Sequence, residues 1–183
     1  MKRVTRETSI EVEKCDTTQV VTPIPFFTHM LETLLKHSSL SLCINAEDLL
    51  GYDDHHVVED VAIVLGRYLN TLFKKDLKRR FAWSVVPMDE SLALCSLDVS
   101  GRGSFHYDFS FEREEIGGLA TENVAHFFET IAREARITLH LRILSGTNDH
   151  HKIEALFKSF AICLGQSLGT WRGGGSTKGV LDL

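Results

Sequence analysis

The stretch HHVVED at residues 55–60 recurs in pattern as HHKIEALFK at residues 150–158. In both, a glutamate follows the first of two adjacent histidines by four residues, which gives the pairs His55 with Glu59 and His150 with Glu154. Residues four apart lie on one face of a helix, so each pair can contact one metal ion. His56 and His151 would point about 100° away from that face. A repeated ligand pattern is therefore the feature from which the fold can be predicted.

A second pair of segments shows that the repeat extends beyond these histidines. HMLETLLKHSSLSLCI begins at His29, and HFFETIAREARITLHL begins at His126. The offset between these segments is 97 residues, against 95 for the two HHxxE patterns. Two matches in the same order at nearly equal offsets predict an internal duplication. We expect one catalytic domain made of two pseudo-repeats, at about residues 1–90 and 91–183.

Hydrophobic spacing predicts similar elements in both halves. The first half is expected to contain strands at 4–13 and 40–46 and helices at 29–37 and 55–73. The second half is expected to contain strands at 81–88, 91–100, 103–111 and 136–144 and helices at 121–135 and 151–168. Thr121 is a candidate for a weak helix N-cap. The predicted class is α+β, with two similar sheet-plus-helices halves fused into one two-layer domain.

Composition narrows the kinds of partner that the chain can have. Hydrophobic residues make up 43% of the 183 residues, which is enough for a buried core. The formal net charge of −5 argues against nucleic-acid binding, and no apolar run approaches the ~20 residues of a membrane span. No signal-peptide pattern opens the sequence, and a cytoplasmic location is expected. No CxxC pair occurs, so we expect mostly buried, reduced thiols at Cys15, Cys43, Cys95 and Cys163.

Packing of the two halves about a pseudo-twofold axis would gather the histidines. Each i, i+4 pair would chelate one ion, the side-pointing histidine would cross to the other half's ion, and the histidine heading each matching helix would add a ligand. The predicted groups are His55, Glu59, His126 and His151 for one ion, and His29, His56, His150 and Glu154 for the other. Three imidazoles and a carboxylate suit Mn²⁺, Fe²⁺ or Zn²⁺. His106 is expected to be a strand residue without a chemical role, and the roles of His37 and His140 stay open.

The sequence resembles the imidazoleglycerol-phosphate dehydratase family of histidine biosynthesis over nearly its whole length. The resemblance rests on RETSIEVE, FFTHML, DDHHVVEDVAIVLG, VPMDESL, DVSGR, HFFET, TLHLRILSGTNDHHKIEALFK and STKGVLDL. The doubled HHxxE with a terminal STKG is highly specific. The resemblance implies a metal-dependent hydro-lyase with two metal ions, commonly manganese. It also implies a duplicated fold and a homo-oligomer of 24 subunits with sites at subunit contacts.

The implied reaction removes water from imidazoleglycerol phosphate to give imidazoleacetol phosphate. A metal on each ring nitrogen would stabilise an imidazolate intermediate. Ring electrons would expel one hydroxyl, and a general base would take a proton from the next carbon, giving an enol that becomes the ketone. The family places its base at a glutamate of the first strand, which is Glu7 here.

The resemblance also implies cationic donors for the substrate phosphate. It points to Arg80, with Arg79 as the neighbouring alternative, and to Arg102, Lys158, Ser176 and Lys178. Arginine forks and lysine ammonium groups both suit phosphate oxygens.

One departure from the family pattern concerns the first helix, where the sequence reads PFFTHM. The family usually has Gly-Phe-Phe-Asp-His there, so Pro25 stiffens the turn and Thr28 replaces a carboxylate that could orient His29.

Two other functions fit the ligand pattern alone. A metal-dependent hydrolase would act on a substrate without an imidazole, and a non-catalytic protein would use closed, structural metal sites.

Overall fold

The computed structural model describes residues 1–172, and these form ten strands and four helices. The strands are β1 (Lys2–Val4), β2 (Thr8–Lys14), β3 (Gln19–Val21), β4 (Leu42–Asp48), β5 (Phe81–Met88), β6 (Ser91–Asp98), β7 (Ser104–Asp108), β8 (Glu115–Ile116), β9 (Leu119–Ala120) and β10 (Thr138–Ser145). The helices are α1 (Pro25–Ser38), α2 (His55–Asp76), α3 (Glu122–Ala135) and α4 (Asp149–Leu168). Within the described range, no helix is long and apolar enough to cross a membrane.

The two four-stranded sheets share one strand order. The first runs β1-β2-β4-β3 and the second runs β5-β6-β10-β7. In each sheet the first three strands are antiparallel neighbours, and the last strand joins in parallel. β8 and β9 form a separate antiparallel pair. This repeated topology confirms the internally duplicated α+β fold.

The chain passes from the first sheet to the second after α2. β5 pairs with β6 along its whole length and therefore belongs to the second sheet. The connection between the two sheets is thus the segment 77–80, which follows α2. This agrees with the assignment of the predicted strand at residues 81–88 to the second half.

Each half consists of a sheet with two helices packed on one face. α1 and α2 contact strands of the first sheet, while α3 and α4 contact strands of the second. The halves meet through their helices, with α2 against α3 and α1 against α4. Each helix pair therefore combines one helix from each half.

A cluster of phenylalanines fills the space between the halves. Phe27 of α1 lies with its ring 5.5 Å from that of Phe127 of α3, and Phe127 stacks 5.3 Å from Phe157 of α4. All three side chains are inaccessible to solvent or nearly so. Burying a side chain of this size stabilises a fold by roughly 1.5–3 kcal/mol. The core thus joins helices that are distant in sequence.

The starts of α1, α3 and α4 differ in detail from the sequence prediction, and α4 begins two residues earlier, at Asp149. α1 begins at Pro25 rather than His29. Proline suits the first turn because its fixed φ is helical and its missing N–H has no partner to lose there. Thr121 immediately precedes α3 as predicted, but its hydroxyl donates to the Arg113 carbonyl at 2.7 Å instead of capping the helix.

The cysteines only partly follow the prediction. Cys95 and Cys163 are free and buried, which confirms the expectation for these two. Cys15 and Cys43 instead form a disulfide, so the prediction of reduced thiols is wrong for this pair. Cys15 directly follows β2, and Cys43 lies on the neighbouring strand β4, opposite Glu13. A separation of 28 residues in sequence concealed this proximity, because the chain returns to the sheet through α1.

A glycine permits the close approach of α2 to α3. A Cβ at Gly66 would lie 2.7 Å from Glu134 Cβ and 3.3 Å from the backbone nitrogen of Ala135. Distances this short leave no room for a methyl group unless the two helices move apart.

We expect Gly66→Ala to destabilise the protein, although the same change in an exposed helix is normally stabilising by up to about 1 kcal/mol. The clash with α3 should reverse the sign and lower the free energy of unfolding by about 1–3 kcal/mol. Chemical denaturation measures this. Thr71→Ala is the control, at an exposed position of the same helix where the hydroxyl bonds, within residues 1–172, only to the Arg67 carbonyl; it should change stability by less than about 0.5 kcal/mol. Stabilisation by Gly66→Ala would show that the contact between α2 and α3 is not tight.

Candidate functional site

Two clusters of potential metal ligands lie where helices from opposite halves pack. The α2–α3 cluster contains His55, Glu59 and His126, and the α1–α4 cluster contains His29, His150 and Glu154. Within each cluster one ligand atom from every residue lies within 4.8 Å of the others. Both clusters combine an i, i+4 pair on one helix with a histidine on the facing helix. Six of the eight predicted metal ligands are therefore brought together, three in each cluster.

The α2–α3 cluster is oriented by an asparagine. His126 Nε2 lies 3.5 Å from Glu59 Oε1, and the rings of His55 and His126 stack with centroids 4.6 Å apart. His55 Nδ1 is 2.9 Å from Asn123 Oδ1 at the start of α3. Because the amide oxygen only accepts hydrogen bonds, it keeps the proton on Nδ1 and leaves Nε2 for a metal. Nothing in the sequence pattern pointed to Asn123, since asparagine is common at helix starts for other reasons.

The α1–α4 cluster is built on a buried carboxylate. Glu154 Oε2 lies 3.4 Å from His150 Nε2 and 3.8 Å from His29 Nε2. Its other oxygen accepts a hydrogen bond from Lys158 Nζ at 2.7 Å. Burial raises the pKa of Glu154, but the hydrogen bond and charge of Lys158 and the charges of His29 and His150 outweigh it, so the pKa lies below its ordinary value. The carboxylate is thus ready as an ionised ligand.

The donor atoms fit a divalent metal ion in both places. His126 Nε2 is buried without a hydrogen-bond partner among residues 1–172, although it faces a carboxylate oxygen. Buried polar atoms are rarely left without a partner, and a coordinated cation would satisfy this nitrogen. Imidazole nitrogens with one carboxylate oxygen suit Mn²⁺, Fe²⁺ and Zn²⁺.

His56 and His151 do not join either cluster, so the predicted crossing within one chain is not seen. His56 Nδ1 lies 3.3 Å from Glu7 Oε2. His151 Nδ1 lies 2.7 Å from Glu90 Oε2, and its Nε2 is 3.5 Å from Asp89 Oδ2. Both rings leave the ligand face of their helix, as their position predicted. Each then turns toward the sheet of its own half, where the loop before β2 or β6 supplies a carboxylate.

Glu90 was not singled out from the sequence. Its pKa lies far below the ordinary value because Oε1 accepts the backbone N–H of Asn148, because Oε2 accepts from His151, and because the N–H of Thr147 adds a further bond. The signal that could have found it is the position of Glu90, directly before a strand like Glu7.

The predicted phosphate-binding residues are spread over several elements. Arg80 forms two hydrogen bonds with Asp98, at 2.7 and 3.2 Å, and Lys158 bonds to Glu154. The exposed Arg102 follows β6, and its guanidinium forms no hydrogen bond with another residue in the described range. Ser176 and Lys178 lie outside the described residues. Of the members within residues 1–172, only Lys158 contacts a metal cluster.

The remaining histidines lie elsewhere. His106 and His140 pair across β7 and β10 with their rings stacked at 4.6 Å. Burial and the charges of Lys158 and Lys36 lower the pKa of His37, and the charge of Glu154 opposes this shift.

Thr28, which stands where the family usually has an aspartate, shares a hydrogen bond with Thr22 at 2.8 Å.

Comparisons with known proteins agree with this geometry. The profile of the family "Imidazoleglycerol-phosphate dehydratase" matches residues 22–164. A protein of that name from Saccharolobus solfataricus is 49% identical over 168 residues, covering 88% of this chain and 86% of its own. One from Metallosphaera sedula is 46% identical, covering 98% and 96%.

Solved structures give the same result. Imidazoleglycerol-phosphate dehydratase from Staphylococcus aureus has a TM-score of 0.80 and 37% identity, covering 91% of this chain and 96% of its own. The enzyme from Pyrococcus furiosus, solved in complex with (S)-C348, has a TM-score of 0.81 and 33% identity, covering 99% and 100%. With the matching profile and relatives, these likenesses show that the chain belongs to the imidazoleglycerol-phosphate dehydratase family, the dehydratases of histidine biosynthesis.

Proposed function

We propose that this protein dehydrates imidazoleglycerol phosphate to imidazoleacetol phosphate with the help of two divalent metal ions. The observation that carries the proposal is the pair of similar histidine–carboxylate clusters, each drawn from both halves. An imidazole ring has two nitrogens, and a duplicated protein offers one cluster for each. Family membership supports the same substrate. We place the enzyme in the cytoplasm.

The metal ions are proposed to be manganese. Within one chain, His55, Glu59 and His126 would hold one ion, and His29, His150 and Glu154 the other. His56 and His151 would each complete a cluster in another copy of the chain. Both rings are partly exposed and lie outside the two clusters of their own chain. Ions bound there would act as Lewis acids that stabilise negative charge on the substrate's imidazole.

Glu7 is proposed as the general base. Its carboxylate is partly exposed, and its only polar contact among residues 1–172 is His56. The turn that carries it is well held, since Thr5 Oγ1 accepts the N–H groups of Glu7 and Thr8 at 3.0 and 2.9 Å. A carboxylate that is fixed in place but has open lone pairs can take a proton from substrate.

The turn is also fixed relative to the ligand helix. Asp60 follows Glu59 on α2 and is almost fully buried. It accepts a hydrogen bond from Thr8 Oγ1 at 2.5 Å and one from Arg3 Nε at 2.7 Å. The bond from Thr8 to Asp60 therefore fixes Glu7 relative to Glu59, because Thr8 follows Glu7 and Asp60 follows Glu59 in sequence.

The substrate phosphate is proposed to bind Arg102, Arg80 and Lys158, together with Ser176 and Lys178 outside the described range. Arg102 is the member whose guanidinium has no protein partner among residues 1–172, so it offers its full set of donors.

Assembly into a homo-oligomer of 24 subunits is part of the proposal. The outer face of the second sheet exposes large apolar side chains on β5, with Phe81 66% and Trp83 72% accessible. Clusters of this kind on a surface commonly mark protein contacts. A neighbouring copy would also be needed to supply His56 and His151 to the clusters.

Removing divalent metal should abolish turnover of imidazoleglycerol phosphate, and added Mn²⁺ should restore it. The protein should bind two Mn²⁺ per chain, measured by elemental analysis after dialysis. His126→Ala should lose about one ion per chain because it removes a ligand from the α2–α3 cluster. His106→Ala, on β7 and outside both clusters, should keep both ions. Undiminished turnover by metal-free protein would exclude the proposed mechanism.

Glu7→Gln should lower kcat by about 10²–10⁴-fold, since it removes the base without changing the size of the side chain. Metal content and oligomeric state should not change, because Glu7 lies in neither cluster. Steady-state kinetics with elemental analysis measures both. Glu13→Gln, an exposed position of the adjoining strand β2, is the matched control and should retain full activity. Full activity of Glu7→Gln would require another base.

A further inference from the structure

Glu7 and Glu90 occupy equivalent positions in the two halves. In the first sheet Ile10 of β2 pairs with Ala46 of β4, and in the second Ala93 of β6 pairs with Ile143 of β10. Ile143 follows Ala46 by 97 residues, the same offset that relates His126 to His29. Ala93 is therefore the counterpart of Ile10. Glu7 lies three residues before Ile10, and Glu90 lies three residues before Ala93, so Glu90 is the counterpart of Glu7.

The equivalence extends to the histidines that these carboxylates contact. His151 is the counterpart of His56, the second histidine of each HHxxE pattern. Glu7 Oε2 faces His56 Nδ1 at 3.3 Å, and Glu90 Oε2 faces His151 Nδ1 at 2.7 Å. The duplication has thus kept a carboxylate on the Nδ1 side of each side-pointing histidine.

The two carboxylates differ in what else they bind. Glu90 Oε1 accepts the backbone N–H of Thr147 at 3.2 Å and of Asn148 at 2.8 Å. Asn148 in turn caps α4, because its side chain accepts the N–H groups of His150 and His151. Both oxygens of Glu90 are therefore occupied, which makes it unsuited to take a proton from substrate.

We infer that Glu90 is a positioning residue that holds the proton of His151 on Nδ1 and thereby presents Nε2 as a ligand nitrogen. Histidine ligands commonly donate their second N–H to a carboxylate, which sets the tautomer and the ring orientation. Asp89 Oδ2 lies 3.5 Å from Nε2, too far for a strong hydrogen bond, on an exposed side chain that can turn away. This role rests on the proposed metal-dependent function, in which His151 joins His55, Glu59 and His126 of another copy.

Glu90→Gln separates this role from a purely structural one. Glutamine has a single oxygen, and the two backbone N–H groups of the loop require it. Its NH₂ group then faces His151 and can only donate, so the imidazole must accept at Nδ1 and carry its proton on Nε2. The loop before α4 keeps its hydrogen bonds, while the ligand nitrogen is blocked.

The experiment compares wild type, Glu90→Gln and Glu7→Gln by titrating Mn²⁺ and measuring the free ion by electron paramagnetic resonance. Glu90→Gln should bind one of its two ions about 10–100-fold more weakly, the loss typical of removing a residue that orients a ligand. Glu7→Gln, the equivalent change in the first half, should bind both ions as wild type does, because no backbone N–H among residues 1–172 holds this side chain and its amide oxygen can turn toward His56 Nδ1. In metal-free, ¹⁵N-histidine-labelled protein, the resonance absent from His151→Asn should show the proton on Nδ1 in wild type and on Nε2 in Glu90→Gln.

Wild-type Mn²⁺ affinity in Glu90→Gln, or an unchanged His151 tautomer, would overturn the inference. A lower melting temperature with both of these unchanged would assign Glu90 a structural role only. Metal binding that responds to Glu90→Gln in a protein without turnover of imidazoleglycerol phosphate would retain the positioning role and reject the proposed function. Failure of the positioning role can therefore be distinguished from failure of the proposed function.

Discussion

Packing of helices across the two halves is the contact on which the rest of the structure depends. α2 packs on α3 at the distance that Gly66 allows, and α1 packs on α4. The rings of Phe27, Phe127 and Phe157, from α1, α3 and α4, fill the space between the halves. These contacts bury the core and also align an i, i+4 pair on one helix with a histidine on the next. Stability and ligand geometry therefore have the same origin, and a shift between the helices would change both.

The sequence predicted those features that depend on spacing along one element. The repeat offsets were sufficient to predict the duplication, and helical spacing predicted the ligand pairs on α2 and α4. Hydrophobic spacing also predicted most strands, with β5 placed at its observed bounds. Features that depend on contacts between segments distant in sequence were missed. Cys15 meets Cys43 only because β2 and β4 are neighbours, and β3 is a three-residue edge strand too short for a periodicity. The direction taken by His56 and His151 depends on carboxylates in the loops before β2 and β6, and no pattern within the helices specifies these contacts.

The two halves have kept one backbone plan while their side chains have diverged around the clusters. Asn123 orients His55 in one cluster, whereas its counterpart Phe26 packs its ring 4.9 Å from that of His150 in the other. Lys158 bonds to Glu154, but the corresponding position beside Glu59 is Ile63. The environments of the two clusters are thus unequal in charge and polarity. The proposed substrate carries a phosphate at one end and an imidazole at the other, and unequal surroundings of the two clusters would distinguish these ends.

Because each cluster takes residues from both halves, neither half on its own contains a complete set of ligands. Two identical copies of an ancestral half, packed helix on helix in the same way, would have held two identical clusters. Joining those copies into one chain would have kept the clusters and released their surroundings to evolve independently. The segment 77–80 between the sheets is where such a gene fusion would have left its join.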